Sequence, residues 1–214
     1  MEAVTGTKTA VINGCMADDY RHIIAHDPDV IPKYTAVGST ACMLANRLSW
    51  FFDLRGPSVN LDSACSSSLM ALDLACQSLR NGDSNMALVT GSNILIGIEP
   101  ILSLMNMSFN SPDGRCFSFD ARANGYGRGE GVGVLVVKRL EDAVRDGDII
   151  RAVVRSTGSN QDGHTPGLTQ PSKDSQARLI LDTYKKADLD RLETRFFEAH
   201  GKLCPKEYFT APSA

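Results

Sequence analysis

The chain has 214 residues, 43% of them hydrophobic and 22% charged, with a formal net charge of −3. This is enough apolar material for one ordinary domain or two small lobes sharing a core, so disorder is not the starting expectation. A mild charge with both signs interspersed gives no reason to expect nucleic acid or an acidic membrane as partner.

Met1 to Ala10 lacks the basic-then-apolar pattern of a secretory signal. The most apolar stretch, Ile94 to Met107, is broken by Glu99, Pro100 and Asn106, too polar and too short to span a bilayer. A soluble, cytoplasmic protein is expected. Six cysteines (15, 42, 65, 76, 116 and 204) are scattered without a Cys-x-x-Cys pair or a histidine at metal-like spacing. Neither a disulfide framework nor a zinc site is expected, and each cysteine is judged by its own context.

In chain order, Thr9 to Asn13 predicts a strand and Asp18 to Ala25 a short helix. Ser39 or Thr40 could cap a helix through Ala41, Leu44, Leu48 and Phe51, stopped by Gly56-Pro57. A strand at Ser58 to Leu61 leads through a sharp turn into a helix from about Cys65 to Arg80. Its apolar positions Leu69, Leu72, Cys76 and Leu79 recur at three- and four-residue steps. Asn81-Gly82 ends that helix, and Met86 to Thr90 is the next strand, completing a strand-helix-strand unit of the kind that builds parallel sheets.

Loops around Pro100 to Asp120 and a glycine-rich bend precede a strand at Val132 to Lys138. A short helix, Leu140 to Arg145, stops at Gly147, and Ile149 to Ser156 is expected as another strand. A polar loop, Thr157 to Pro171, leads to a helix from Ser172 to about Lys186. Arg195 to Ala199 is expected as a last strand carrying His200 at its end. The fold class is α/β.

The sharpest chemical signal is Val59-Asn60-Leu61-Asp62-Ser63-Ala64-Cys65-Ser66-Ser67-Ser68-Leu69. A cysteine in the first turn of a helix meets backbone N–H groups and a partial positive charge, which favour the thiolate. The same N–H groups could steady an oxyanion formed when a thiolate attacks an acyl carbonyl. Spacing alone leaves a nucleophile and a buried structural cysteine equally open. Cys76, on the apolar face of the same helix, is explained by core packing.

Asp62-Ser63-Ala64-Cys65-Ser66-Ser67-Ser68 resembles the active-site signature of β-ketoacyl synthases, above all the ketosynthase domains of modular and fungal iterative polyketide synthases. Asn46 to Asp53, Gly56-Pro57-Ser58, Ser111-Pro112-Asp113-Gly114-Arg115 and Gly125-Tyr126-Gly127-Arg128-Gly129-Glu130-Gly131 look like that family too. So do Ser159-Asn160-Gln161-Asp162-Gly163 and Glu198-Ala199-His200-Gly201. The likeness covers nearly the whole chain to Gly201, and these motifs together are highly specific.

The resemblance implies a partial thiolase-like layered α/β sandwich, with most of the first lobe and the start of the second. It implies Cys65 as the acyl-accepting nucleophile and His200 as the histidine that helps activate the extender thioester. The implied reaction is decarboxylative Claisen condensation of acyl and malonyl thioesters carried by an acyl carrier protein. Phosphopantetheine arrives on that partner; no metal or resident cofactor is implied. The family also implies a homodimer.

The run Gly125-x-Gly127-x-Gly129-x-Gly131-x-Gly133 is followed by a strand rather than a helix, which argues against a dinucleotide site. Glycines allowing close backbone approach beside the sheet are the better account. His164 matches a family loop position, and His22 with His26 lacks an evident third ligand. After His200-Gly201 the sequence Lys202-Leu203-Cys204-Pro205 departs from the family's His-Gly-Thr-Gly-Thr. A partial ketosynthase domain over 1–201 and a tail over 202–214 without resemblance are therefore expected. The family's first core strand is expected to precede Met1 and its later catalytic elements to be missing. A catalytically incomplete fragment, or a module that pairs with a synthase without catalysing, is the alternative.

Overall fold

The computed structural model describes residues 4–200; Gly201, Cys204 and the tail fall outside the described residues. The chain divides into two units, the first formed by 4–96 with 130–159 and the second by 97–129 with 160–200.

The first unit is a four-stranded sheet in the order β2-β1-β3-β4. β1 (Thr9–Gly14) is its heart, and all six of its residues are buried. It pairs in parallel with β2 (Ser58–Leu61) on one side and β3 (Met86–Asn93) on the other. β4 (Gly131–Lys138) runs antiparallel to β3 at the sheet's end. Successive side chains of a strand face opposite ways, so β1 feeds two cores. Ala10 and Ile12 pack with Ala71 and Ala75 of α4 (Ser67–Asn81), while Val11 packs with Ala45 of α3 (Cys42–Phe52) and with Leu54. The sheet thus lies between α3 and α4 as the middle of three layers.

The strand-helix-strand unit β2-α4-β3 forms as the sequence predicts, and Gly82 ends α4 at φ +79°, its N–H bonding the carbonyls of Leu79 and Ser78. α1 (Asp19–Ala25) and α6 (Leu140–Arg145) also fall where periodicity puts them. Other expectations are corrected. Leu69 is 70% exposed, because the buried face of α4 is built from the small residues Ser67, Ala71 and Ala75, which let the helix approach the sheet closely.

Neither Ser39 nor Thr40 caps α3. Both hydroxyls turn back onto the carbonyls of Thr35 and Ala36 in an unforeseen short helix, α2 (Thr35–Ser39). α3 stops not at Gly56-Pro57 but at Asp53, which adopts a left-handed φ of 49°. Residues 149–156 form no strand: a strand needs a neighbour's N–H and C=O, none of the described strands pairs there, and Ile149 and Val153 stand exposed.

In the second unit, the stretch whose composition predicts loop contains α5 (Glu99–Asn106), with Pro100 in its first turn, where proline is tolerated. α7 (Lys173–Lys186) opens on Ser172, whose hydroxyl accepts from the Ser175 N–H as a helix cap should. Residues 195–199 form no strand either, since none of the described strands pairs with them; a 3-10 turn, Arg191–Glu193, precedes them. Among the described residues no helix is long and apolar enough to cross a membrane.

Candidate active site

Two glycines on neighbouring strands, Gly14 at the end of β1 and Gly91 within β3, determine where α4 begins. Gly14 and Gly91 are register partners on β1 and β3. A Cβ at Gly14 would touch the Ser67 carbonyl carbon and lie 2.5 Å from both the Ser67 oxygen and the Ser68 nitrogen. One at Gly91 would lie 2.9 Å from the Ser68 Cβ. The first turn of α4 therefore rests directly on bare backbone. One residue earlier, the buried Asn13 joins the three parallel strands. Its Nδ2 donates to Asn60 Oδ1 at 2.5 Å and its Oδ1 accepts from the Thr90 hydroxyl.

Above this floor, the chain from β2 to α4 makes a tight turn that carries Cys65. Asp62 Oδ1 accepts from the Ala64 N–H at 2.8 Å, and Ala64 sits at φ +56°, a conformation that alanine adopts at a cost. The Ser63 and Ser66 hydroxyls lie 3.0 Å apart, and Ser66 Oγ donates to the Ser63 carbonyl. The Ser67 hydroxyl accepts from the Ser63 N–H at 2.9 Å and donates to the Ala64 carbonyl at 2.5 Å.

Cys65 is exposed at the top of this turn. Ser66 is the cap residue of α4, so Cys65 lies just before the helix and not in its first turn. This corrects the expected boundary by two residues, and the Ala64 kink is its cause. The exposure removes the alternative of a thiol buried in apolar packing, whereas Cys76 is buried as expected. An exposed thiol at the mouth of a helix N-terminus, with small side chains around it, can meet an acyl carbonyl.

The second unit assembles other singled-out segments. The turn 111–115 is closed by the Gly114 N–H on the Ser111 carbonyl. Asn124 ties it on: its Oδ1 accepts from Ser111 Oγ and its Nδ2 donates to Asp113 Oδ2, each at 2.7 Å. Gly125 and Gly127 leave room for this. A Cβ at Gly125 would lie 2.6 Å from the Ser111 nitrogen, and one at Gly127 would strike the Gly114 carbonyl oxygen. Their close approach is loop against loop, not beside the sheet as expected; Gly129, Gly131 and Gly133 meet nothing within 4 Å.

Tyr126, between the two close-packed glycines, pairs its backbone with Phe109 and Ser111. Its ring lies 6.4 Å from that of the exposed His200, at an interplanar angle of 40°. Cys65 belongs to the first unit and His200 to the second. Segment 159–163 serves α7: the Asn160 amide donates to the Ser175 carbonyl, and Asp162 accepts from the Ser172 N–H. His22 pairs with Asp18 at 3.1 Å on exposed α1, and no metal-ligating cluster occurs among the described residues.

Ser67, Gly14, Gly91, Asn13 and Tyr126 escaped the sequence reading as site-building residues. The paired Asn13-Gly14 and Thr90-Gly91 steps on neighbouring strands were the available signal.

Comparison with known proteins bears on this geometry. Residues 1–143 match the family model for the beta-ketoacyl synthase N-terminal domain, and 151–205 that for the C-terminal domain. The chain is 52% identical over 205 residues to highly reducing polyketide synthase azaB of Aspergillus niger, covering 96% of this chain. It is 52% identical over 201 residues to lovastatin diketide synthase lovF of Aspergillus terreus, covering 94% of this chain. It spans 8% of the length of each of those relatives. Among solved structures, the oxazolomycin ketosynthase domain of Streptomyces albus matches 94% of the chain and 36% of its own length, with TM-score 0.86 and 38% identity. A ketosynthase from module 6 of the Bacillus subtilis bacillaene synthase matches 88% of the chain and 31% of its own, with TM-score 0.78 and 37% identity. The sheet flanked by α3 and α4 is accordingly part of a thiolase-like fold, and the chain belongs to the beta-ketoacyl synthase family.

Proposed function

We propose that Cys65 is the nucleophile of a ketosynthase reaction on carrier-bound thioesters. The thiolate attacks the carbonyl of an acyl group presented on the phosphopantetheine arm of an acyl carrier protein. The tetrahedral oxyanion collapses, the arm's thiolate leaves and takes up a proton, and the acyl group remains on Cys65 as a thioester. A malonyl-type extender then loses carbon dioxide. The resulting carbanion attacks the Cys65 thioester, expelling the Cys65 thiolate and releasing a β-ketoacyl chain on the carrier.

In this scheme the neutral imidazole of His200 donates a hydrogen bond to the enolate oxygen as carbon dioxide departs. Its exposure and its place beside the Tyr126 ring are compatible with that role. The observation that supports the scheme most is the exposed Cys65 thiol, held at the mouth of α4 on a turn that the Ser67 hydroxyl ties down.

Incubating the chain with an acyl thioester and weighing the tryptic peptide containing Cys65 tests the first half-reaction. Mass gain by one acyl group is expected, and its absence in Cys65→Ala. An unmodified peptide from folded wild-type protein rejects the scheme.

A second reading, a non-catalytic chain that pairs with another synthase, draws on β4. That strand ends the sheet order, and Val132, Val134 and Val136 on it are exposed. Co-purification with an intact ketosynthase, without acylation of Cys65, is its expected signature.

A further inference from the structure

Four serines surround Cys65, at 63, 66, 67 and 68, and of these only Ser67 is buried, at 4% exposure. Its hydroxyl uses its donor and its acceptor on two different residues of the turn. It accepts from the Ser63 N–H at 2.9 Å and donates to the Ala64 carbonyl at 2.5 Å. The Ser67 backbone N–H adds a second bond to that same carbonyl at 3.0 Å.

The carbonyl in question belongs to the peptide unit whose nitrogen is that of Cys65. A peptide is planar, so fixing its oxygen fixes the direction in which the chain arrives at the Cys65 Cα. The preceding peptide is pinned independently, because the Ala64 N–H is held by Asp62 Oδ1. Between these two anchors Ala64 is kept at φ +56°, a conformation the surrounding bonds must over-determine. Beneath, the Ser67 backbone rests on Gly14, whose missing Cβ would lie 2.5 Å from the Ser67 oxygen. The hydroxyl therefore transmits the position of the sheet to the peptide that aims the thiol.

We propose that Ser67 is a positioning residue for acyl transfer at Cys65: its hydroxyl orients the Ala64–Cys65 peptide so that the thiolate points along the attack line to an incoming carbonyl. This rests on the assignment of Cys65 as nucleophile. Attack on a carbonyl demands a defined line of approach and a placed oxyanion, whereas alkylation by iodoacetamide demands only an accessible thiolate. The two reactions therefore separate aim from accessibility.

The test uses the 214-residue chain. Acylation of Cys65 by an acetyl N-acetylcysteamine thioester is followed by peptide mass, in parallel with iodoacetamide alkylation across pH. Ser67→Ala is expected to lower the saturating acylation rate roughly ten- to a hundredfold, with half-saturation and alkylation each within about threefold of wild type. Ser67→Thr, which keeps the hydroxyl, is expected to stay within about threefold of wild type, and its isostere Ser67→Val to behave like Ser67→Ala. The Thr/Val pair keeps side-chain volume constant, so the comparison stands even where the alanine variant does not fold.

Wild-type acylation rates in Ser67→Ala, equal rates in Ser67→Thr and Ser67→Val, or acylation and alkylation falling by one common factor would each overturn the proposal. A wild-type chain that is alkylated at Cys65 but never acylated overturns the nucleophile assignment itself, which is a different result.

Discussion

Replacing Gly14 by alanine is the sharpest probe of how the sheet supports the reactive turn. The new Cβ would sit 2.5 Å from the Ser67 carbonyl oxygen and from the Ser68 nitrogen. Carbon needs about 3.5 Å from such neighbours, so the first turn of α4 must retreat by about 1 Å. Both obstructing groups are backbone, so no rotamer change relieves the overlap. Overpacking of this kind costs about 1–3 kcal/mol, offset by about 0.4–1 kcal/mol from the reduced freedom of the unfolded chain.

A net loss of about 1–2 kcal/mol is therefore expected in urea unfolding. The effect on acyl transfer is larger, because a displacement of about 1 Å at the reacting group can cost about a hundredfold in rate. Gly91→Ala is the control: its Cβ would crowd the Ser68 Cβ, at 2.9 Å, and meet Ser68 Oγ and the Gly14 oxygen only at ordinary contact distance, so its penalty is smaller on both counts. An unchanged urea midpoint and acylation rate in Gly14→Ala, or a larger loss in Gly91→Ala, would refute the picture of a helix seated on the bare backbone of two strands.

Asn13→Val leaves Asn60 and Thr90 without the amide that joins them, and a loss of about 1–3 kcal/mol is expected by chemical denaturation. Gly82→Ala places a side chain at φ +79° with open space around it, so a purely conformational loss of about 1 kcal/mol is expected in the same assay. Hydrogen bonds from Arg145 and then Lys138 hold Asp146 down to about 2 from its usual 3.8, and Arg122 does the same for Asp120. Both carboxyls bind protons less readily when folded. Their contribution is full above pH 3.8 and fades as pH falls toward about 2. The melting temperature should drop across that window, and Asp146→Asn should flatten the drop.

Much of the first unit was legible because its signals are local. β1, β2, β3 and α4 follow from apolar runs bounded by Gly82 and by the small residues around Cys65, and the exposed cysteine follows from a motif with its own turn chemistry. What failed depended on tertiary contacts. Periodicity assigned Leu69 to the core, yet the sheet accepts alanine and serine at that distance and leaves leucine outside. Residues 149–156 have the composition of a strand, but pairing is a property of two segments, and none of the described strands supplies the second. Ser67 looked like one of several serines; only the fold shows that it is buried and hydrogen-bonded to the Ser63 N–H and the Ala64 carbonyl just before the nucleophile.

The first sheet is closed by β4, which joins β3 only after the chain has left and built the stretch 97–129 of the second unit. A ribosome therefore delivers three parallel strands long before it delivers the antiparallel strand that flanks them, and the nascent sheet waits with one rim open. The same topology gives resilience once the protein is finished. A single protease cut anywhere in 97–129 leaves two polypeptides still stitched together by the eight register pairs from Met86↔Lys138 to Asn93↔Gly131. Such a nicked protein should run as one species under native conditions and as two under denaturing ones.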